Sequence, residues 1–227
     1  AYKIASFELV DLPLIELVAA TGKPVILSTG MADFTEITEA TSAARDAGCR
    51  ELAVLHCVSG YPASPEESNL RTISMLAEDF GVVTGLSDHT LGTAVSIASV
   101  ALGASIIEKH VTLRRADGGP DAAFSLEPDE LKELVDGCAT AFAALGEATF
   151  ERTPGEEENL VFRRSLFVVE DMNKGDVFTR ENLRCIRPGH GLAPKHLKDI
   201  LGRRAARELK RGEPLDWPAV SCSLEKV

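Results

Sequence analysis

Missing from this 227-residue chain are a paired-cysteine pattern, an excess of positive charge and an uninterrupted apolar run. Each absence removes a class of function. Five cysteines (Cys49, Cys57, Cys138, Cys185 and Cys222) stand far apart with no CxxC among them. Such an odd, scattered set fits a reduced, cytoplasmic protein better than a disulfide framework. Lys and Arg number 24 against 35 Asp and Glu, for a formal charge of −11. Phosphate backbones demand clustered cations, so no nucleic-acid partner is expected. A small anionic substrate stays compatible, because a few cations in a pocket outweigh a distant acidic surface screened by salt. The longest apolar stretch, around Val95 to Ile107, is broken by Gly103 and serines. It is too short to span a bilayer, and no membrane partner is expected.

What is present has the composition of an ordinary globular protein, 44% hydrophobic and 26% charged. The chain opens on "AYKIAS", inside a strand-like run and without Met. That opening is expected of a fragment of a longer protein, and a signal peptide in the parent is left open.

Five β-rich runs recur: "YKIAS" (2–6), "PVILSTG" (24–30), "LAVLHCVS" (52–59), "VVTGLSD" (82–88) and "SIIEKHVT" (105–112). Helix-like segments separate them, for example "DFTEITEATSAARDAG" (33–48), with apolar residues at helical spacing and Gly48 as a stop signal. Strand–helix alternation at this period predicts parallel βαβ units, and strands apolar nearly throughout are covered on both faces. An open doubly wound sheet and part of an eight-stranded barrel both fit, and both place ligands at the carboxyl ends of the strands. A long helix is predicted over 127–146, and the polar, proline-bearing segment 148–164 reads as a linker. From 165 to 227 the chain reads as a small β-rich domain. "LFVVEDMNKGDVFTRENL" and "AARELKRGEPLDWPAV" share a plan of apolar run, Gly-centred turn and second apolar run.

Polar residues gather where the strands stop. The first run carries Lys3, Ser6 and Glu8. The second ends in Ser28-Thr29-Gly30, the third in Ser59 before Tyr61, the fourth in Ser87-Asp88-His89 and the fifth in Lys109-His110. Any one of these is ordinary at a strand-to-loop transition, but five in succession point to an anionic ligand bound by hydroxyls, backbone N–H groups and a lysine. His89 and His110, at neighbouring strand ends, could share one divalent ion or be two satisfied core imidazoles. His56 reads as structural, and His190 and His196 have no metal-like spacing. The loop "RRADGGPDAAFSLEP" (114–128) is expected to bring Asp117 and Asp121 to the same rim.

Taken in order, "YKIAS.E", "PVILSTGM", "LHC.S.YP", "GLSDHT", "EKH.T", "GGPD..FSLEP" and "RPGHGL" resemble the sialic-acid synthase family over nearly the whole chain. Within it, "KIASFE" and the loop before Pro120 are similar to the pseudaminic acid synthases. The resemblance implies a fold: a partial (β/α)8 TIM barrel, strands four to eight, over residues 1–147, then a small antifreeze-like SAF (β-clip) domain. It also implies an activity, the metal-dependent condensation of phosphoenolpyruvate with 2,4-diacetamido-2,4,6-trideoxy-L-altrose, in a domain-swapped homodimer. His89 and His110 would bind Mn²⁺ or Mg²⁺, with His110 also catalytic. Lys3, Ser6, Ser28, Ser59 and Ser87 would hold phosphoenolpyruvate, Ser59 standing where the family commonly has Asn. Glu8 would handle the proton or orient water, Tyr61 and Asp121 would contact the sugar or metal-bound water, and Arg187 would reach a neighbouring subunit's site. The first three barrel units are then absent, and the chain alone is expected to be inactive. Two rivals stand: an N-acetylneuraminate or legionaminate synthase with the same chemistry, and a non-catalytic SAF-type binding module.

Overall fold

The structure, a computed structural model, describes residues 1–221. Cys222 and the remainder of the predicted second domain, 222–227, lie outside the described residues. Two compact units divide the chain, Ala1–Glu147 and Ala148–Val227.

Five strands build the first unit: β1 (Tyr2–Ile4), β2 (Val25–Ser28), β3 (Leu52–Cys57), β4 (Val83–Asp88) and β5 (Ile106–Lys109). They alternate with α1 (Leu12–Ala19), α2 (Phe34–Asp46), α3 (Thr72–Phe80) and α4 (Ala94–Val100), and α5 (Pro128–Leu145) follows β5. Local chemistry explains the boundaries. Asp33 and Glu36 form a reciprocal capping box at the start of α2, and Gly81, at φ +58°, supplies the left-handed residue that ends α3.

All strands pair in parallel in the order β1-β2-β3-β4-β5. A doubly wound sheet would reverse its order at a switch point. Sequential order with right-handed crossovers instead puts every helix on one face. Ile4, Val25, Leu27, Leu52 and Val54 pack outward against Ile15, Ile37 and Leu76 of the helices. The opposite face is concave. Lys3 on β1 and Glu108 on β5 approach to 3.3 Å, although four flat strand spacings of roughly 4.8 Å would hold them about 19 Å apart. The sheet therefore curls as an arc of a barrel, with β1 and β5 as its edges. Among the described residues no helix is long and apolar enough to cross a membrane.

The second unit holds α6 (Pro154–Glu158), the antiparallel pair β6 (Ser165–Val168) and β7 (Leu183–Ile186), and the short α7 (Leu197–Ile200). Within 148–164, the carbonyl of Val161 accepts from Gly189 N–H at 2.8 Å. The internal repeat is reciprocal in space. Met172 and Leu209, equivalent in the two halves, exchange both backbone hydrogen bonds at 2.9 Å. Gly175 N–H bonds the Ala205 carbonyl, and its counterpart Gly212 N–H bonds that of Val168, both at 2.8 Å. Each half thus supplies the turn that caps the other, over a core that includes Leu166, Phe178, Leu209 and Leu215.

Candidate active site

Period-two alternation decides which side chains enter the concave face. Residues paired across the ladder share a face, so Lys3, Ser28, Cys57, Ser87 and Glu108 line the inside. Glu108 Oε1 accepts from Ser87 Oγ at 2.7 Å and lies 3.3 Å from Lys3 Nζ. Beyond the strand ends, Ser6 and Ser59 hydroxyls meet at 3.0 Å. They close over Gly30, where a Cβ would stand 2.3 Å from Ser6 Cβ and 2.6 Å from Ser59 Oγ. Ser28 is 1% exposed and its Oγ finds no hydrogen-bond partner. A buried hydroxyl without a partner is costly, and a hydroxyl orphaned on the same sheet face as Lys3 is suited to a ligand oxygen.

The two histidines come together. Their ring centroids are 5.3 Å apart in an edge-to-face arrangement. Tyr61 lies against His89 at 4.4 Å and Phe124 against His110 at 5.0 Å. His89 Nδ1 is 3.0 Å from the Val58 carbonyl. A carbonyl only accepts, so Nδ1 carries the proton and Nε2 keeps its lone pair. Burial lowers the His89 pKa; the Val58 bond opposes that and nearby His110 reinforces it, and the net direction favours the neutral ring. A neutral imidazole with a carbonyl-fixed tautomer suits a metal ligand. Among the described residues no three His, Cys, Asp or Glu side chains cluster as a metal cage. Two imidazoles are too few donors for a closed structural site, and as a donor pair they suit only an ion that keeps open positions. Asp121 Oδ2 stands 3.6 Å from His110 Nδ1, near enough for charge but beyond a good hydrogen bond.

Not every predicted residue joins this group. Asp88 and Lys109 were expected at the rim with their neighbours, but alternation turns both to the helix face, where they pair at 2.8 Å. Asp117 is drawn away by Arg114 at 2.9 Å. Glu8 is exposed on the one-turn 3-10 helix Ser6–Glu8. Arg187 is exposed after β7 in the second unit. His56 faces outward and its Nε2 bonds the Ser68 carbonyl at 2.7 Å. His196 rests against Trp217.

Two site residues escaped the reading of strand ends, Glu108 and Phe124. Glu108 could have been found from parity, since it shares a face with His110 two residues on. Phe124 carried no signal, because a lone aromatic in a long loop reads equally well as core.

Comparison with known proteins covers both units. The NeuB family matches residues 1–150 and the SAF domain residues 163–221. A pseudaminic acid synthase from Helicobacter pylori is 44% identical over 98% of this chain and 66% of its own length. An N,N'-diacetyllegionaminic acid synthase from Campylobacter jejuni is 38% identical over 93% of this chain and 64% of its own. Among solved structures, the spore coat polysaccharide biosynthesis protein SpsE of Bacillus subtilis aligns with a TM-score of 0.60 at 37% identity, over 97% of this chain and 67% of that one. The chain thus spans about two thirds of the length of such relatives.

Proposed function

This chain belongs to the NeuB family, and from that membership we propose that it carries the site at which phosphoenolpyruvate condenses with an amino-sugar aldehyde. The acceptor we favour is 2,4-diacetamido-2,4,6-trideoxy-L-altrose, making the product pseudaminic acid. The observation behind this reading is the juxtaposition, on one concave face, of Lys3 and the serine hydroxyls with the His89–His110 pair. Identity to a pseudaminic acid synthase, higher than to a legionaminic acid synthase, supports the choice of acceptor.

In this reading Lys3, Ser6, Ser28 and Ser59 donate to the phosphate and carboxylate of phosphoenolpyruvate, and Ser87 joins them by turning its hydroxyl away from Glu108. This anion cradle holds carbon 3 toward the histidines. His89 and His110 would hold Mn²⁺ or Mg²⁺, which would supply Lewis-acid polarisation of the aldehyde oxygen. Carbon 3 attacks the aldehyde carbon, water adds to the electron-poor carbon 2, and phosphate departs with its bridging oxygen to leave a ketone. Tyr61 walls the acceptor pocket beside His89, and Asp121 contacts the sugar or a water. Glu8, exposed at the rim and outside the cluster, would take or direct the proton of the attacking water once that water comes within its hydrogen-bond reach. Arg187 would reach an N-acyl carbonyl in a partner subunit of a cytoplasmic homodimer with exchanged second domains. Turnover requires a closed barrel, so the edges β1 and β5 must be covered by further strands.

Phosphoenolpyruvate carrying ¹⁸O in its bridging position tests the chemistry in the full-length protein that contains this chain. Label recovered in the released phosphate is expected; label retained in the sugar acid contradicts C–O cleavage and with it these assignments.

A further inference from the structure

We propose that the buried Asp88–Lys109 pair is a positioning device that sets the separation of His89 and His110, and through it their affinity for a divalent ion. The second half of this inference rests on the metal-binding reading above; the first half stands on the geometry alone.

The parallel ladder between β4 and β5 ends at the partners Asp88 and Lys109. Each histidine is the next residue, one step past the last register pair. Beyond that point the two backbones are tied elsewhere: the His89 carbonyl accepts from Ala63 N–H at 3.0 Å, and the His110 carbonyl from Leu126 N–H at 2.8 Å. Nothing in the ladder holds one histidine to the other. The ion pair does so from the opposite face. Lys109 Nζ donates to Asp88 Oδ2 at 2.8 Å and reaches past the strand end to the Thr90 carbonyl at 2.6 Å. Asp88 Oδ1 accepts from Thr90 N–H at 2.8 Å, and Ser96 on α4 donates to Oδ2. Both neighbours of His89 are therefore fastened to the residue that precedes His110.

A role in stability alone is a poor account of these charges. The side chains are 3% and 2% exposed, and burying an ion pair seldom stabilises a fold more than apolar residues of the same volume would. The preceding register pair on that face, Leu86 and Ile107, is apolar and packs in the core. A bonded pair with fixed geometry controls spacing in a way that a sliding apolar contact does not.

The test uses the full chain and Mn²⁺ alone. Asp88→Asn combined with Lys109→Met removes both charges together, so neither is left buried and unpaired. Ile73→Val, in the same core cluster, serves as a control that loses packing only. Free Mn²⁺ is measured by electron paramagnetic resonance, and ring-to-ring nuclear Overhauser effects between His89 and His110 are measured in the metal-free protein. The double variant is expected to unfold cooperatively, lose the ring-to-ring contact and bind Mn²⁺ about ten- to hundredfold more weakly. The control should keep the contact and its affinity. A folded double variant with parental ring contact and unchanged Mn²⁺ affinity overturns the proposal. Failure of the unaltered chain to bind Mn²⁺ would sink the metal reading but not the clamp, which the metal-free ring contact still decides. Should the double variant not fold, Ser96→Ala loosens Asp88 alone, and an unaltered ring contact there overturns the proposal as well.

Discussion

Replacing Ser28 with Ala should make the protein more stable and worse at binding its anion, two effects of opposite sign from one atom. The side chain is 1% exposed and its Oγ has no partner. Leaving a buried hydroxyl unpaired costs about 1–3 kcal/mol. Deleting it recovers that amount, less the contacts of a single oxygen, each roughly 0.1–0.2 kcal/mol. The net expectation is a stabilisation of about 1–2 kcal/mol. For a domain this size, each kcal/mol appears as an upward shift of about 2–4 °C in melting temperature. Against phosphoenolpyruvate the same hydroxyl would donate to a charged oxygen, a bond worth about 1.5–3 kcal/mol. Its loss should weaken binding about ten- to hundredfold. Urea denaturation without ligand and calorimetric titration with phosphoenolpyruvate read the two effects separately. A variant destabilised by more than about 1 kcal/mol would mean that the hydroxyl has a partner in the folded protein. Unchanged phosphoenolpyruvate affinity would remove Ser28 from the cradle.

Other perturbations have definite signs. Gly30→Ala forces a Cβ into Ser6 and Ser59 at φ +52°; left-handed strain and overpacking together should cost about 2–5 kcal/mol and abolish phosphate binding, and a mildly destabilised variant with parental affinity would contradict the close packing. Burial lowers the His56 pKa, with the Ser68 carbonyl opposing. Because the unfolded chain takes up that proton first, stability should be full above the ordinary histidine value near 6.5 and decline as pH falls below it. Urea midpoints between pH 7.5 and 5 check this, and His56→Gln should flatten that part of the profile. Trp217 is the chain's lone tryptophan and lies in the second unit, so its fluorescence reports on that unit. Leu215→Ala, at a fully buried position, should lower the fluorescence-detected stability by about 2–5 kcal/mol, and a shift below 1 kcal/mol would contradict the assigned core.

Much of this architecture could be read directly from residues. The five strands fall inside the five apolar runs, and α2 and α5 fall inside their predicted spans, because parallel strands covered on both faces and helices with capping residues leave strong local patterns. The choice between open sheet and barrel was not legible. It depends on strand order and curl, which the Lys3–Glu108 approach reveals and periodicity does not. At the site, residue types were visible but not their facing. Asp88 and His89 look equivalent as neighbours at a strand end, yet alternation sends one to the helices and the other to the concave face. The same rule, applied at the outset, would have set Lys109 apart from Lys3 and drawn in Glu108. The reciprocal turns of the second unit were foreshadowed by the repeat, whereas their mutual capping needed coordinates.

The most direct test is phosphate release from phosphoenolpyruvate by the full-length protein that carries this chain, with and without Mn²⁺. The acceptors 2,4-diacetamido-2,4,6-trideoxy-L-altrose and N-acetylmannosamine are supplied separately. The account predicts Mn²⁺-dependent release with the first acceptor, little with the second, and loss of turnover in His89→Ala and His110→Ala. Turnover with N-acetylmannosamine instead would move the activity to the neuraminate branch. No release with either acceptor, in a folded protein with metal present, would contradict the assignment of the two histidines and the anion cradle to a common catalytic site.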